Sequence, residues 1–273
     1  MAVGFEQALK EYQAGRLAEA LRLAQGVLAE GEPGEPALFA LIGNIQYKSG
    51  NRAEAAQAFA RAAEIVDDEI DGKAAAAYLK LAVTLAHAAG LFDLIASIGP
   101  RAVRLNPGAP DLTFAVASAL FRAGRFAEME PLLEGLDRHN DRHMALIVNH
   151  HRLTGRFEAL SAELDRALAE RPNDIFLTVS KFAVAREVLD FPTIARHEAL
   201  MRTPDAPFSA ALIAAEPALG RILWSDDEAL NARPSQETSS YAATLPSVTG
   251  RTRRVFSAPG ERIRIGYLSN DFH

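Results

Sequence analysis

The chain of 273 residues has no cysteine, so no disulfide can form and no thiolate is available to hold a metal. That fits a reducing compartment. No uncharged apolar run reaches the roughly 18 residues that a membrane-spanning helix needs. The opening, MAVGFEQALKEYQAGR, does not set a cationic stretch before an apolar one, so no secretory leader is expected. There is no basic excess either. The formal net charge is -6 and the isoelectric point is about 5.7. This argues against a nucleic-acid binder, which would show a basic face, and against an anionic membrane surface as partner. No Ser-His-Asp order, phosphate-cradling loop or one-faced carboxylate pair stands out. A soluble cytoplasmic protein with no cofactor and no metal is the expectation.

What is present is apolar residue in quantity, 49% of the chain, with 23% charged. That is enough for a sizeable core or a long solenoid. One phrase also recurs. It reads Ala14-Gly15-Arg16-Leu17-Ala18-Glu19-Ala20, then Ser49-Gly50-Asn51-Arg52-Ala53-Glu54-Ala55. It returns as Ala123-Gly124-Arg125-Phe126-Ala127-Glu128-Met129 and Thr154-Gly155-Arg156-Phe157-Glu158-Ala159-Leu160, with a weaker copy at Ala89-Gly90-Leu91-Phe92-Asp93. The glycines lie 35, 40, 34 and 31 residues apart, bracketing the 34-residue tetratricopeptide period.

The phrase has a physical reading. A helix ends where glycine takes a left-handed conformation without a Cβ penalty, and an antiparallel helix starts a residue or two later. Small residues at Ala20 and Ala55 let the two helices approach. Gly43, Phe59, Pro107 and Pro172 fill further repeat positions. Helix pairs are expected at about 2–31, 36–66, 73–105, 110–138 and 142–171. A sixth, degenerate pair is expected at about 174–204, with Asp190 in the glycine position. The expected fold is an all-α tetratricopeptide solenoid, a right-handed superhelix of five to six pairs.

Residues 1–205 would form the repeats and 206–232 the capping helices, chiefly one apolar helix over about 208–223. Ser225 and Glu228 read as a capping box ahead of a short helix, with Asp226 and Asp227 in its first turn. Residues 233–258, rich in proline and serine and carrying Arg251, Arg253 and Arg254, read as a flexible linker.

In such a stack the first helix of each pair lines the concave side. The register of those helices names Tyr12, Asn44, Tyr47, Lys48, Thr84, His87, Ser118, Arg122, Asn149 and Arg152 as the candidate peptide-binding residues. Polar groups there would bond a peptide backbone, and the tyrosines would pack its side chains. A solvated inner face with no particular ligand is the competing reading. His139, His143, His150 and His151 are locally dense and read as surface histidines rather than zinc ligands.

The end of the chain is different. Arg262-Ile263-Arg264-Ile265 alternates like a strand and leads into Gly266-Tyr267-Leu268-Ser269-Asn270-Asp271-Phe272. Gly266, Tyr267, Ser269, Asp271 and Phe272 resemble the phrase that opens the catalytic region of O-linked N-acetylglucosamine transferases and SPINDLY-like proteins. Those enzymes carry tetratricopeptide repeats upstream of a nucleotide-sugar transferase region. The resemblance implies that 259–273 is the truncated start of a glycosyltransferase-like α/β domain. The family histidine would fall two positions past His273, which occupies a variable position. By that resemblance the chain is a recruiting arm for acceptor proteins or peptides, with a homodimer as a further expected assembly, and without a complete catalytic site of its own. A free-standing adaptor is the alternative. One departure stands out. The family's inner-face asparagine positions hold Glu6, Leu41, Leu81, Ala115, Leu146 and Lys181 here.

Overall fold

The computed structural model describes residues 3–29, 35–202, 206–223 and 225–233. The proposed linker beyond Arg233, Trp224 and the 264–272 phrase lie outside the described residues. Six helix pairs follow one another: α1 (Val3–Gln13) with α2 (Leu17–Ala29), α3 (Pro36–Lys48) with α4 (Arg52–Ile65), and α5 (Asp68–Ala89) with α6 (Phe92–Leu105). Then come α7 (Pro110–Arg122) with α8 (Phe126–Met129), α9 (Asp141–Leu153) with α10 (Phe157–Glu170), and α11 (Ile175–Glu187) with α12 (Phe191–Met201). Three short helices close the described chain: α13 (Pro207–Ala215), α14 (Ala218–Ile222) and α15 (Glu228–Asn231).

The glycine phrase makes the turns. Gly15, Gly50, Gly90, Gly124 and Gly155 all have φ between 68° and 85°. At each turn the amide after the glycine reaches back to a carbonyl inside the first helix, as Asn51 N–H does to Gln46 O at 2.9 Å and Arg125 N–H to Leu120 O at 2.9 Å. This closes the orphan carbonyls of the first helix and aims the chain back along it. Ala20 and Ala55 are fully buried where the two helices of a pair meet. Gly43 is equally constrained, since a Cβ there would lie 3.0 Å from the Phe59 ring.

The sixth turn corrects the sequence alignment by one residue. Leu189, not Asp190, takes the left-handed position, with φ 56°. Asp190 N–H makes the same back-bond, to Ala185 O at 2.9 Å, and the Asp190 carboxylate caps α12 by accepting from Thr193 N–H. A left-handed leucine is strained by about 1 kcal/mol or more, and this side chain is 64% exposed, so burial returns little. Leu189→Gly is therefore expected to raise the unfolding free energy by about 0.5–1 kcal/mol, read as a higher urea midpoint at unchanged slope. A lower midpoint would mean that the leucine is held by packing instead.

Three departures from the expected helices have local causes. The 40-residue spacing arises at the start of α5, where Asp71 adopts non-helical angles and adds an irregular turn. Arg101 holds that turn, donating to Ala63 O, Val66 O and the Asp68 carboxylate. The second helix of pair four shortens to α8 and continues as a 3-10 turn, Glu130–Gly135, in which Pro131 lacks an amide proton. The single helix expected over 208–223 breaks at Pro217, which holds Glu216 extended at ψ 129° and separates α13 from α14. The cap of α15 is Asp227, whose carboxylate accepts from Leu230 N–H, rather than Ser225, which instead accepts from Asp227 N–H.

Pro100 sits inside α6 without breaking it. It leaves the Ala96 carbonyl without its helical partner. Arg125, from the turn of the next pair, donates to that carbonyl at 3.0 Å while also pairing with Glu128. The arginine of the repeated phrase thus joins one pair to the next. Nearby, Gly99 admits Val116 so closely that a Cβ would lie 2.6 Å from its Cγ1.

Each pair packs on its neighbours, and first helices also touch first helices: α1 with α3, α5 with α7, α7 with α9. That row of first helices forms one face of the stack, and it is the face that positions the candidate site.

Candidate functional site

The ten sequence-predicted residues lie on the first helices of five pairs, α1, α3, α5, α7 and α9, and the structure brings some of them together. The Lys48 ammonium sits 4.1 Å above the Tyr12 ring, joining α3 to α1. Tyr47 is exposed beside Lys48. Asn44 and Asn149 are exposed, with no side-chain hydrogen bond among the described residues. Ser118 is half-buried. The Arg122 guanidinium stacks 4.3 Å above Phe92, so its planar group covers a ring of the α6 start. Arg152 borders a broad groove of about 1180 Å³ among α11, α13 and α14. The ten therefore form separate small groups along the face.

Thr84 and His87 belong to the best-formed of these groups. They line a pocket of about 510 Å³ bounded by α5, the start of α7 and the start of α9. Its apolar wall is Val83, Leu112 and Phe114. The His143 imidazole stacks on Phe114 with centroids 4.5 Å apart and planes 11° from parallel. The Arg142 guanidinium lies 5.3 Å from the same ring, and His87 meets it edge-on. Lys80 and Arg142 complete the lining, and neither forms an ion pair among the described residues. Asp111 is at the mouth, its side chain 99% exposed.

His143 is the residue the sequence reading misplaced. It is not a surface histidine, being only 2% exposed, and His150 is buried as well. A stacked ring on one side and helix packing on the other remove it from water. Burial pushes its pKa below the usual histidine range, with Asp111 and Asp137 working against that shift. Its Nδ1 accepts from Asp137 N–H at 3.1 Å, which assigns the proton of the neutral ring to Nε2. His150 and His151, with rings 5.5 Å apart, are lowered by burial too. No group of three or more histidine or carboxylate side chains is placed to hold a metal among the described residues.

Lys80, Phe114, Asp111, Arg142 and His143 were absent from the sequence-derived set of ten. The signal that would have found two of them is the helical period. Lys80 lies one turn before Thr84, and Phe114 one turn before Ser118. Arg142 and His143 sit at the opening turn of α9, whereas Asn149 and Arg152 mark its far end. The positions of the family's asparagine ladder go elsewhere: Leu41, Ala115, Leu146 and Lys181 are buried, Lys181 donating to Asp165 and Ser161.

No family model matches the sequence, and no curated protein does. Solved structures do resemble the chain. The C-terminal part of a tetratricopeptide repeat-containing protein from Cytophaga hutchinsonii aligns at 14% identity, over 84% of this chain and 91% of that one, with a TM-score of 0.47. A tetratricopeptide repeat protein from Parabacteroides merdae aligns at 14% identity, over 81% and 85%, with a TM-score of 0.39. Human IFIT1, solved as a dimer with PPP-AAAA, aligns at 18% identity, over 87% of this chain and 59% of that one, with a TM-score of 0.35. The helix pairs and their left-handed turns carry the fold themselves. It is an all-α tetratricopeptide solenoid. Among the described residues no helix is long and apolar enough to cross a membrane.

Proposed function

We propose that the face built by the first helices binds an extended segment of a partner protein. The observation that carries this is a set of side chains left with bonding capacity on three of the first helices: Asn44 on α3, His87 on α5, and Asn149 and Arg152 on α9, with the Thr84 hydroxyl, which donates to Lys80 O, still able to accept. An extended peptide has a free amide and carbonyl at every residue, and asparagine offers both a donor and an acceptor to them. The Tyr12–Lys48 pair gives the set an aromatic station at its first end.

The finer reading is that this face recruits acceptor proteins for a glycosyltransferase of the O-linked N-acetylglucosamine transferase or SPINDLY-like kind. It rests on Gly266, Tyr267, Ser269, Asp271 and Phe272, which follow the repeats in the order seen in that family. Serine or threonine hydroxyls would be the acceptor chemistry.

A peptide array probed with the purified chain tests both levels. Retention of unstructured peptides is expected, with those bearing serine or threonine prominent. Asn44→Ala with Asn149→Ala should weaken retention about tenfold, since two backbone contacts are lost. Both side chains are exposed, so the melting temperature should hold. An array that retains nothing sinks the peptide reading. Retention without any serine or threonine leaves binding in place and removes the acceptor role.

A further inference from the structure

The pocket between α5, α7 and α9 has more donors than its own structure uses. His143 Nε2–H opens onto it from a ring that is 2% exposed. The closest acceptor recorded for that donor is Asp111 Oδ1, at 3.9 Å, beyond hydrogen-bonding reach. The Nδ1 contact with Asp137 N–H fixes this orientation, so the proton cannot turn away. Lys80 from α5 and Arg142 from α9 line the same space, and among the described residues neither meets a carboxylate. Three donors, supplied by two first helices on either side of α7, therefore face one pocket with an apolar wall. The His143 N–H thus meets the pocket rather than a protein acceptor, and a ligand acceptor there would take the place of solvent.

We propose that this pocket holds an anionic side chain of the bound segment, a carboxylate or a phosphate, between Lys80, Arg142 and His143 Nε2–H. The proposal rests on the peptide-binding reading of this face and gives it a chemical preference. The volume of about 510 Å³ accommodates such a side chain with solvent. The Phe114 and Val83 wall would pack the methylene groups beneath the anion. Arg142 can present its fork to two oxygens at once, and Lys80 adds a point charge. Asp111 is the opposing charge. It stands at the mouth rather than among the donors, so it lowers affinity and leaves the contacts in place. The preference is therefore adjustable by a single exposed residue.

The test uses the whole chain and three blocked tripeptides with glutamate, phosphoserine or glutamine between alanines, together with inorganic phosphate. The reporter is the His143 ring resonance, assigned by its loss in His143→Gln. Saturable movement is expected with the glutamate and phosphoserine peptides and not with the glutamine peptide. Lys80→Gln with Arg142→Gln should weaken binding about tenfold or more, as two charge-assisted contacts go. Asp111→Asn should tighten it about threefold, by removing one nearby like charge in solvent. All three substituted side chains are solvent-facing, so unchanged circular dichroism should accompany these shifts. The stronger of the two acidic peptides names the natural group. No movement of the reporter, or equal movement with glutamine, overturns the proposal. Inorganic phosphate matching the phosphopeptide also overturns it, because the ligand is then a free ion and not a side chain. Array binding without acidic preference leaves the peptide reading standing while this proposal falls. Acidic tripeptides that bind while the array retains nothing do the reverse.

Discussion

Arg186→Ala is expected to lower the unfolding free energy by about 3 kcal/mol, the low end of the range for opening a buried ion pair. Arg186 on α11 donates to Glu216 at 2.9 Å, and the carboxylate is 1% exposed. Glu216 ends α13, so the contact ties the closing helices to the last repeat pair. Removing the guanidinium leaves the carboxylate with less compensation in a site that water does not reach. The Arg186 side chain is itself partly exposed, which is why the low end applies. The loss should appear as a lower urea midpoint. The pair Arg186→Met with Glu216→Met should recover only part of it, because the fully buried Arg221, which the Glu216 carboxylate attracts, then keeps its charge without that partner. A single variant as stable as the original chain would mean that α13 is held by its apolar contacts alone.

Acid should weaken the chain well above the carboxylate range. The His197 ring lies tilted against Phe182, with centroids 3.7 Å apart, and is held at a pKa of about 3, by burial first and by Arg186 second. Its Nε2 lies 3.6 Å from Glu216, an attraction that would act in the other direction. Burial dominates, because Arg186 already neutralises that carboxylate. The unfolded chain takes up a proton near pH 6.5 and the folded chain does not. Stability from this group is therefore complete above pH 6.5 and declines as the pH falls toward 3. Between pH 6.5 and 5 the loss from His197 alone is about 2 kcal/mol. His143, His150 and His151 are lowered in the same direction and add to it. Urea midpoints measured at pH 7.5 and pH 5 check this. His197→Phe should flatten much of the dependence, and an unchanged slope would mean that the ring finds a partner when protonated.

The repeats are readable in the sequence because their information is local. A glycine that must be left-handed, and a small residue where two helices touch, impose themselves whatever surrounds them. The pairs at 36–66 and 142–171 consequently reappear within a residue or two as α3 with α4 and α9 with α10. The sixth turn was harder to align because Leu189 tolerates a conformation that glycine normally announces. The break at Pro217 comes from one residue inside an apolar stretch, and apolar composition alone does not report it. The pocket is legible only in part. Thr84 and His87 follow from the register of α5. Lys80 and His143 depend on how three helices stack in space, and no single helix period contains that. His143 is the clearest case, since a histidine among His139, Asp141 and Arg142 looks solvated until Phe114 is seen against it.

Among the described residues the buried apolar side chains divide into three clusters along the stack. One joins α1 to α3, a long one runs from Ala55 on α4 to Val184 on α11, and a small one holds Met201, Leu212, Ile213 and Leu230. A quasi-one-dimensional stack opens where neighbour contacts are fewest, so its free energy of local opening rises from each end toward the middle. The link from Arg125 to Ala96 lies along the long cluster and ties pair three to pair four. The three helices around His143 all contribute to the long cluster. The end pairs can therefore fray and re-form while the recognition surface between α5 and α9 persists, and amide protons there should be among the last to exchange.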